Sequence, residues 1–188
     1  KLFDTPKKWN AFVELAKQKD NIKNYYFKKA KQPILDYFNE NIDDNWICEP
    51  WGNTNYDIRW YLKDFGKNSL ALAIGWRFQL VLHVNDINTF DTNLINELLK
   101  TDYSLVLTKF DRIDRQFETN IKAVENRNYY FESPFDNNFY DEDKLAWFIG
   151  NKTDEFSKQL IEKVERFIKD ETITKMLYEI NQKSKKNK

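Results

Sequence analysis

Residues 70–84 read LALAIGWRFQLVLHV, and Leu70, Leu72, Ile74, Trp76, Phe78, Leu80, Leu82 and Val84 all fall on even positions. Strict alternation is the mark of a strand with one buried face, because successive side chains point to opposite sides. Arg77, Gln79 and His83 interrupt the run, and nowhere does the chain approach the roughly 18 consecutive apolar residues of a membrane-spanning helix. A hairpin inside the stretch calls for turn chemistry such as Asn-Gly, which is absent. The expectation is therefore one central strand of about 50 Å at about 3.3 Å per residue, bent near Gly75.

The preceding segment keeps the same phase. Tyr56, Ile58, Trp60 and Leu62 are even, and the 64–69 loop DFGKNS separates them from Leu70. Pairing across that loop with residue numbers summing to 132 sets Leu62 against Leu70, Trp60 against Leu72 and Ile58 against Ile74. The even face then forms a wall of core. The reverse face sets Arg59 against Ala73, Asp57 against Gly75 and Asn55 against Arg77. Asp57, Arg59, Arg77, Gln79 and His83 gather there beside the small residues Ala71, Ala73 and Gly75, which makes this face the candidate binding site. The competing reading is a solvated sheet face carrying a cross-strand Asp57–Arg77 pair.

Outward from this core the period changes to that of helices. Trp9, Phe12, Val13 and Ala16 mark a short first helix after Pro6, and Ile22 to Phe38 mark a second over 21–41, with Pro33 inside it. Trp46 to Glu49 reads as a short strand ended by Pro50, and YSLVLT, Tyr103 to Thr108, as a fourth strand. Asp91 or Thr92 caps a helix carrying Leu94, Ile95, Leu98 and Leu99. Ile113, Phe117, Ile121 and Val124 mark another helix, and Asp141 to Ile149 a short one stopped by Gly150. A long amphipathic helix is expected from Thr153 to about Gln182, with Asp154 and Glu155 suiting its dipole. Together these elements predict one α+β domain over 1–182 with a polar tail at 183–188. Its sheet is mixed, mainly antiparallel and four-stranded, with helices on one or both faces and a long C-terminal helix.

The chain has 188 residues, with 30 basic and 30 acidic side chains, so its formal charge is zero and it is no polycation. The ends are basic: residues 1–40 hold nine Lys and five acids, and 157–188 hold nine basic and five acidic residues, each a net +4. Lys23, Lys28 and Lys29, beside the aromatic run Tyr25-Tyr26-Phe27, are the candidate nucleic-acid contacts; solvated helix faces and an aromatic core stripe are the plainer explanation. One cysteine, Cys48, excludes an internal disulfide and fits a reducing, cytoplasmic setting. One histidine, His83, excludes a multi-histidine metal site. The first residue is Lys rather than Met, which leaves a longer parent protein open. Thr108-Lys109-Phe110-Asp111 and Asp64-Phe65-Gly66 match fragments of nucleotide-enzyme motifs, without the glycine-rich phosphate loops those motifs need.

Read in order, helix 21–41, three strands, helix 92–99 and a fourth strand, the elements resemble the core of the PD-(D/E)XK nuclease superfamily. Asp57 stands where that resemblance implies the first metal-binding carboxylate, with Glu49 a second. It implies Mg²⁺ as cofactor and nucleic-acid cleavage as activity. Between Leu70 and Val84, however, there is neither an acid nor a lysine where the family carries its (D/E)-x-K. The segment WFIGNKTDEFSKQLIEKVERFIK is similar in style to accessory C-terminal regions of bacterial nuclease-family proteins. Three functional readings follow. The first is a non-catalytic, cofactor-free interaction or accessory domain binding protein or nucleic acid. The others are a divergent metal-dependent nuclease using Asp57 with Glu49 or an acid from another segment, and a small-ligand sensor using the polar face.

Overall fold

A computed structural model describes residues 4–52, 57–75, 78–110 and 141–186. The sheet is a four-stranded antiparallel meander of β1 (Trp46–Pro50), β2 (Ile58–Leu62), β3 (Leu70–Ile74) and β4 (Leu80–Val84), adjacent in that order. The β2–β3 register is the expected one: Ile58 faces Ile74, Arg59 faces Ala73 and Trp60 faces Leu72.

The 70–84 stretch is nonetheless a hairpin, which corrects the single long strand. Ile74 pairs with Leu80 and Leu70 with Val84. The chain reverses through Gly75–Gln79, where Phe78 donates its N–H to Gly75 O and Gly75 donates to Gln79 O. Because this loop holds an odd number of residues, even positions stay on the even face on both sides of it, and the turn leaves no phase break. Phe78 adopts φ 57°, a left-handed backbone that costs a non-glycine residue about 1–2 kcal/mol. Its ring offsets this by packing edge-on to Phe27 and Phe156, at centroid distances of 5.8 and 4.9 Å in the core.

With β4 supplied by 80–84, YSLVLT is not a strand but part of a helical turn, α3 (Ser104–Leu107). Tyr103 and Leu107 stand four residues apart on one helical face and are buried, while Leu105 between them is 81% exposed. The odd positions alternate in type but not in burial.

Helix α1 (Pro6–Asn41) is one continuous 36-residue helix where two were expected. Thr5 caps it by accepting the Lys8 N–H, and Pro6 occupies its first turn, where no backbone donor is missed. Pairs at helical spacing, Lys17–Glu14, Asn21–Gln18 and Lys23–Asp20, carry it through the polar stretch between the two apolar patterns. Helix α2 (Thr92–Thr101) is capped by Asp91, whose carboxylate accepts the N–H groups of Asn93 and Leu94. Helix α4 (Glu142–Asn151) runs through Gly150 rather than stopping at it. A Cβ on Gly150 would come within 2.7 Å of the Tyr26 ring, so glycine here permits a close approach of α4 to α1. The long C-terminal helical segment divides at Asp170 into α5 (Thr153–Ile168) and α6 (Glu171–Ser184). Asp170 caps α6 through the Thr172 N–H. Beyond Gln182 the chain is tied to the start of α2: Asp91 N–H donates to Ser184 O and Lys186 N–H to Thr89 O.

Helices α1, α2, α4, α5 and α6 bury one shared core against the even face of the sheet, including Phe38, Ile95, Phe148, Phe156 and Met176 over Trp60, Leu72 and Leu82. The helix expected around Ile113–Val124 lies outside the described residues. Among those described, no helix is long and apolar enough to cross a membrane.

Candidate functional site

The odd face of the sheet carries the candidate residues, and strand pairing fixes their layout. Glu49 is opposite Arg59, which is opposite Ala73, which is opposite Val81. One step along, Trp51 N–H donates to Asp57 O, and Gly75 pairs with Gln79. At the other end Ala71 faces His83. The face therefore has polar and aromatic side chains on β1, β2 and β4 and a strip of small residues on β3.

Arg59 crosses that strip. It is 1% exposed, and its guanidinium donates to the backbone carbonyls of Lys67, Ser69 and His83, the last at 3.4 Å. Burial lowers its pKa to about 10 against the opposing pull of Glu49 and Tyr61. The planar fork thus staples β2 to the β2–β3 loop and to β4, a geometry that a lysine ammonium cannot reproduce. Its Nε–H, the Ser69 hydroxyl, Gln79 Oε1 and the Trp51 indole N–H are all buried and accept or donate no hydrogen bond among the described residues. The Trp51 ring lies against His83, with centroids 4.0 Å apart.

Asp57 is buried, with its carboxylate over Gly52, where a Cβ would come within 2.6 Å of Oδ2. Gly52 has φ 66°, so it is both the conformation and the space that require glycine. Lys31 of α1 approaches Asp57; burial lowers the lysine pKa, and the carboxylate opposes that shift. Glu49 faces Arg59 and bonds the Tyr61 hydroxyl, whose pKa is raised by burial and by that carboxylate.

The structure thus brings Asp57, Arg59, Gln79 and His83 onto one face with Glu49, as expected, while Arg77 lies outside the described residues. A divalent cation needs several hard oxygen ligands. Among the described residues no group of three Asp, Glu, His or Cys side chains gathers to hold one. With the Arg59 guanidinium opposite Glu49 and no such cluster at Asp57 among the described residues, the arrangement does not fit Mg²⁺.

The three candidate lysines separate. Lys23 is a strut between helices, 3.0 Å from Asp20 and 3.5 and 3.7 Å from Glu142 and Asp143 of α4. The Asp20 hydrogen bond foremost raises its pKa, against a smaller effect of burial. Lys28 and Lys29 are exposed, and Lys29 borders a cleft of about 510 Å³ between Pro33 and the α4–α5 turn.

Two features escaped the sequence reading. From Pro6 to Ile22 every residue of α1 except Val13 is exposed, including Trp9 (52%), Phe12 (43%), Leu15 (66%) and Ile22 (43%). The spacing of Trp9, Phe12, Val13 and Ala16 marked a helix, and nothing in that spacing says which of its side chains are covered. At the opposite end of α1, a cleft of about 840 Å³ opens between Phe38–Asn45, Trp46, Leu62 and the α5–α6 turn. Its lining carries Asp43, Asp64, Glu165 and Glu171 but only one cation, Lys169. Comparison of the chain with protein-family models, with curated proteins and with solved structures finds no match.

Proposed function

We propose that the protein is a non-catalytic interaction domain of the cytoplasm that binds a protein partner along the N-terminal half of α1. The observation that carries this reading is the exposure of Trp9, Phe12, Leu15 and Ile22 on one helix. Large apolar side chains grouped on a surface mark contact sites, and Trp is prominent among interface anchors.

A nucleic-acid partner is less well supported by the same helix. Two of its lysines face acids of α4: Lys19–Asp143 at 2.5 Å and Lys23–Glu142 at 3.5 Å. Phosphate binding draws on uncompensated cations. The Asp57–Arg59 face is closed by its own contacts, which favours a structural part for it over metal-dependent cleavage.

The test is retention of partners from a nuclease-treated lysate by the immobilised protein, compared with a Trp9→Ala/Leu15→Ala variant. A protein held by the wild type and lost by the variant supports the reading. Identical retention by both overturns it, as does plasmid cleavage in Mg²⁺ or Mn²⁺ that disappears in Asp57→Ala.

A further inference from the structure

Resting on the proposal that α1 presents a protein-binding face, we infer that one partner of this face is a second copy of the chain, with the α1 arm of one molecule seated in the 840 Å³ cleft of the next. The two surfaces are complementary. The arm carries Lys7 and Lys8 beside Trp9 and Phe12. The cleft sets Asp43, Asp64 and Glu171 around the aromatic side chains of Phe38, Trp46 and Tyr178.

None of those three carboxylates has a basic partner among the described residues, and neither does Lys7. Lys8 is held only by an exposed i,i+4 pair to Asp4, of a kind worth under about 1 kcal/mol and readily exchanged for another acid. An ammonium entering the cleft meets a lining rich in carboxylates, which attract a cation.

Geometry assigns the contact to two molecules rather than one. Phe38, Asn41, Ile42 and Asp43 form the cleft at the C-terminal end of α1, and the arm is the N-terminal end of the same 36-residue helix. At about 1.5 Å per residue those ends lie about 54 Å apart, so an arm cannot enter its own cleft. A contact between two different patches adds molecules in series, or closes a dimer where two molecules exchange arms about a two-fold axis. Contributing only one helix end and one cleft, it is a small interface, and so a weak, salt-sensitive one.

Sedimentation velocity on the intact chain, from micromolar to about 1 mM, tests this in low and high salt. The expected result is a weight-average mass that climbs with concentration, with association weakened at least tenfold in high salt, in Lys7→Glu/Lys8→Glu and in Asp64→Lys/Glu171→Lys. Mixing the two variants restores association with the two alternating, since the acidic arm of the first fits the basic cleft of the second and the unchanged arm of the second fits the unchanged cleft of the first. A monomer at every concentration overturns the inference, and so does association that neither variant weakens or that mixing fails to restore. If the chain is monomeric while the lysate partner is still lost with Trp9→Ala/Leu15→Ala, self-docking falls and the interaction-domain reading stands. If neither behaviour is seen, both fall.

Discussion

Asn181 of α6 closes the end of β3 by acting as a strand: its Oδ1 accepts the Leu70 N–H at 2.7 Å and its Nδ2 donates to the Leu70 carbonyl at 3.0 Å. The substitution is needed because β2 leaves the ladder at this point. The Leu62 carbonyl that would pair with Leu70 is taken instead by the N–H groups of Phe65 and Gly66. Asn181 is fully buried, and Nδ2 also donates to Leu177 O at 2.8 Å, which sets the amide's orientation.

Asn181→Leu keeps the branched shape and leaves two buried backbone groups without a partner. Each such group left unpaired costs about 1–3 kcal/mol, so urea unfolding should show a loss of about 2–4 kcal/mol. A loss below about 0.5 kcal/mol, the scale of an ordinary surface change, would mean that water satisfies Leu70 equally well.

Arg59→Met should cost about 2–4 kcal/mol, because it strips the carbonyls of Lys67, Ser69 and His83 of their donor. Arg59→Lys should recover less than half of that, since one ammonium cannot span the fork. Chemical denaturation of both variants checks this, and a fully stable lysine variant would contradict the staple.

Gly150→Ala separates helix propensity from packing. In an exposed helix the change is favourable by about 1 kcal/mol. Here the new methyl meets the Tyr26 ring, so the melting temperature should fall. Pairing it with Tyr26→Ala should recover part of the loss if the ring is the cause.

Burial and the nearby Glu49 push the Cys48 thiol up to about 12 from its ordinary 9.0. An acid whose folded pKa is raised keeps its proton while the unfolded chain loses it. Stability from Cys48 is therefore intact below pH 9 and lost between pH 9 and about 12, at up to about 1.4 kcal/mol per pH unit. Alkaline unfolding should be shallower in Cys48→Ala over that window. Native protein at pH 8 should react with iodoacetamide far more slowly than protein in urea.

The parity of apolar residues in 58–62 and 70–84 made the core face and the β2–β3 register legible before any coordinates, because a half-buried strand must alternate. The same parity hid the hairpin. An odd-length loop preserves phase, and its left-handed residue is Phe78 rather than the glycine or asparagine that announces such turns. The division of α5 from α6 did leave a trace in the five-residue gap between Ile168 and Ile173, where the helical stripe slips and Asp170 supplies the cap. Of the candidate site, the grouping of Asp57, Arg59, Gln79 and His83 follows from strand parity. That the group is buried and stapled shut does not.

By itself, then, the sequence determined which sheet residues face the core, that the long amphipathic segments are helical and how β2 lies against β3, because those depend on local periodicity and nearest pairing. Only the tertiary structure decided that Arg59 is a buried staple, that Asn181 completes β3 from 111 residues away, and that Trp9, Leu15 and Ile22 are exposed. Each of these depends on what lies opposite a side chain in space. Two segments with similar apolar spacing, Trp9–Ala16 and Phe27–Phe38, differ in burial because the second lies against the sheet and Phe78.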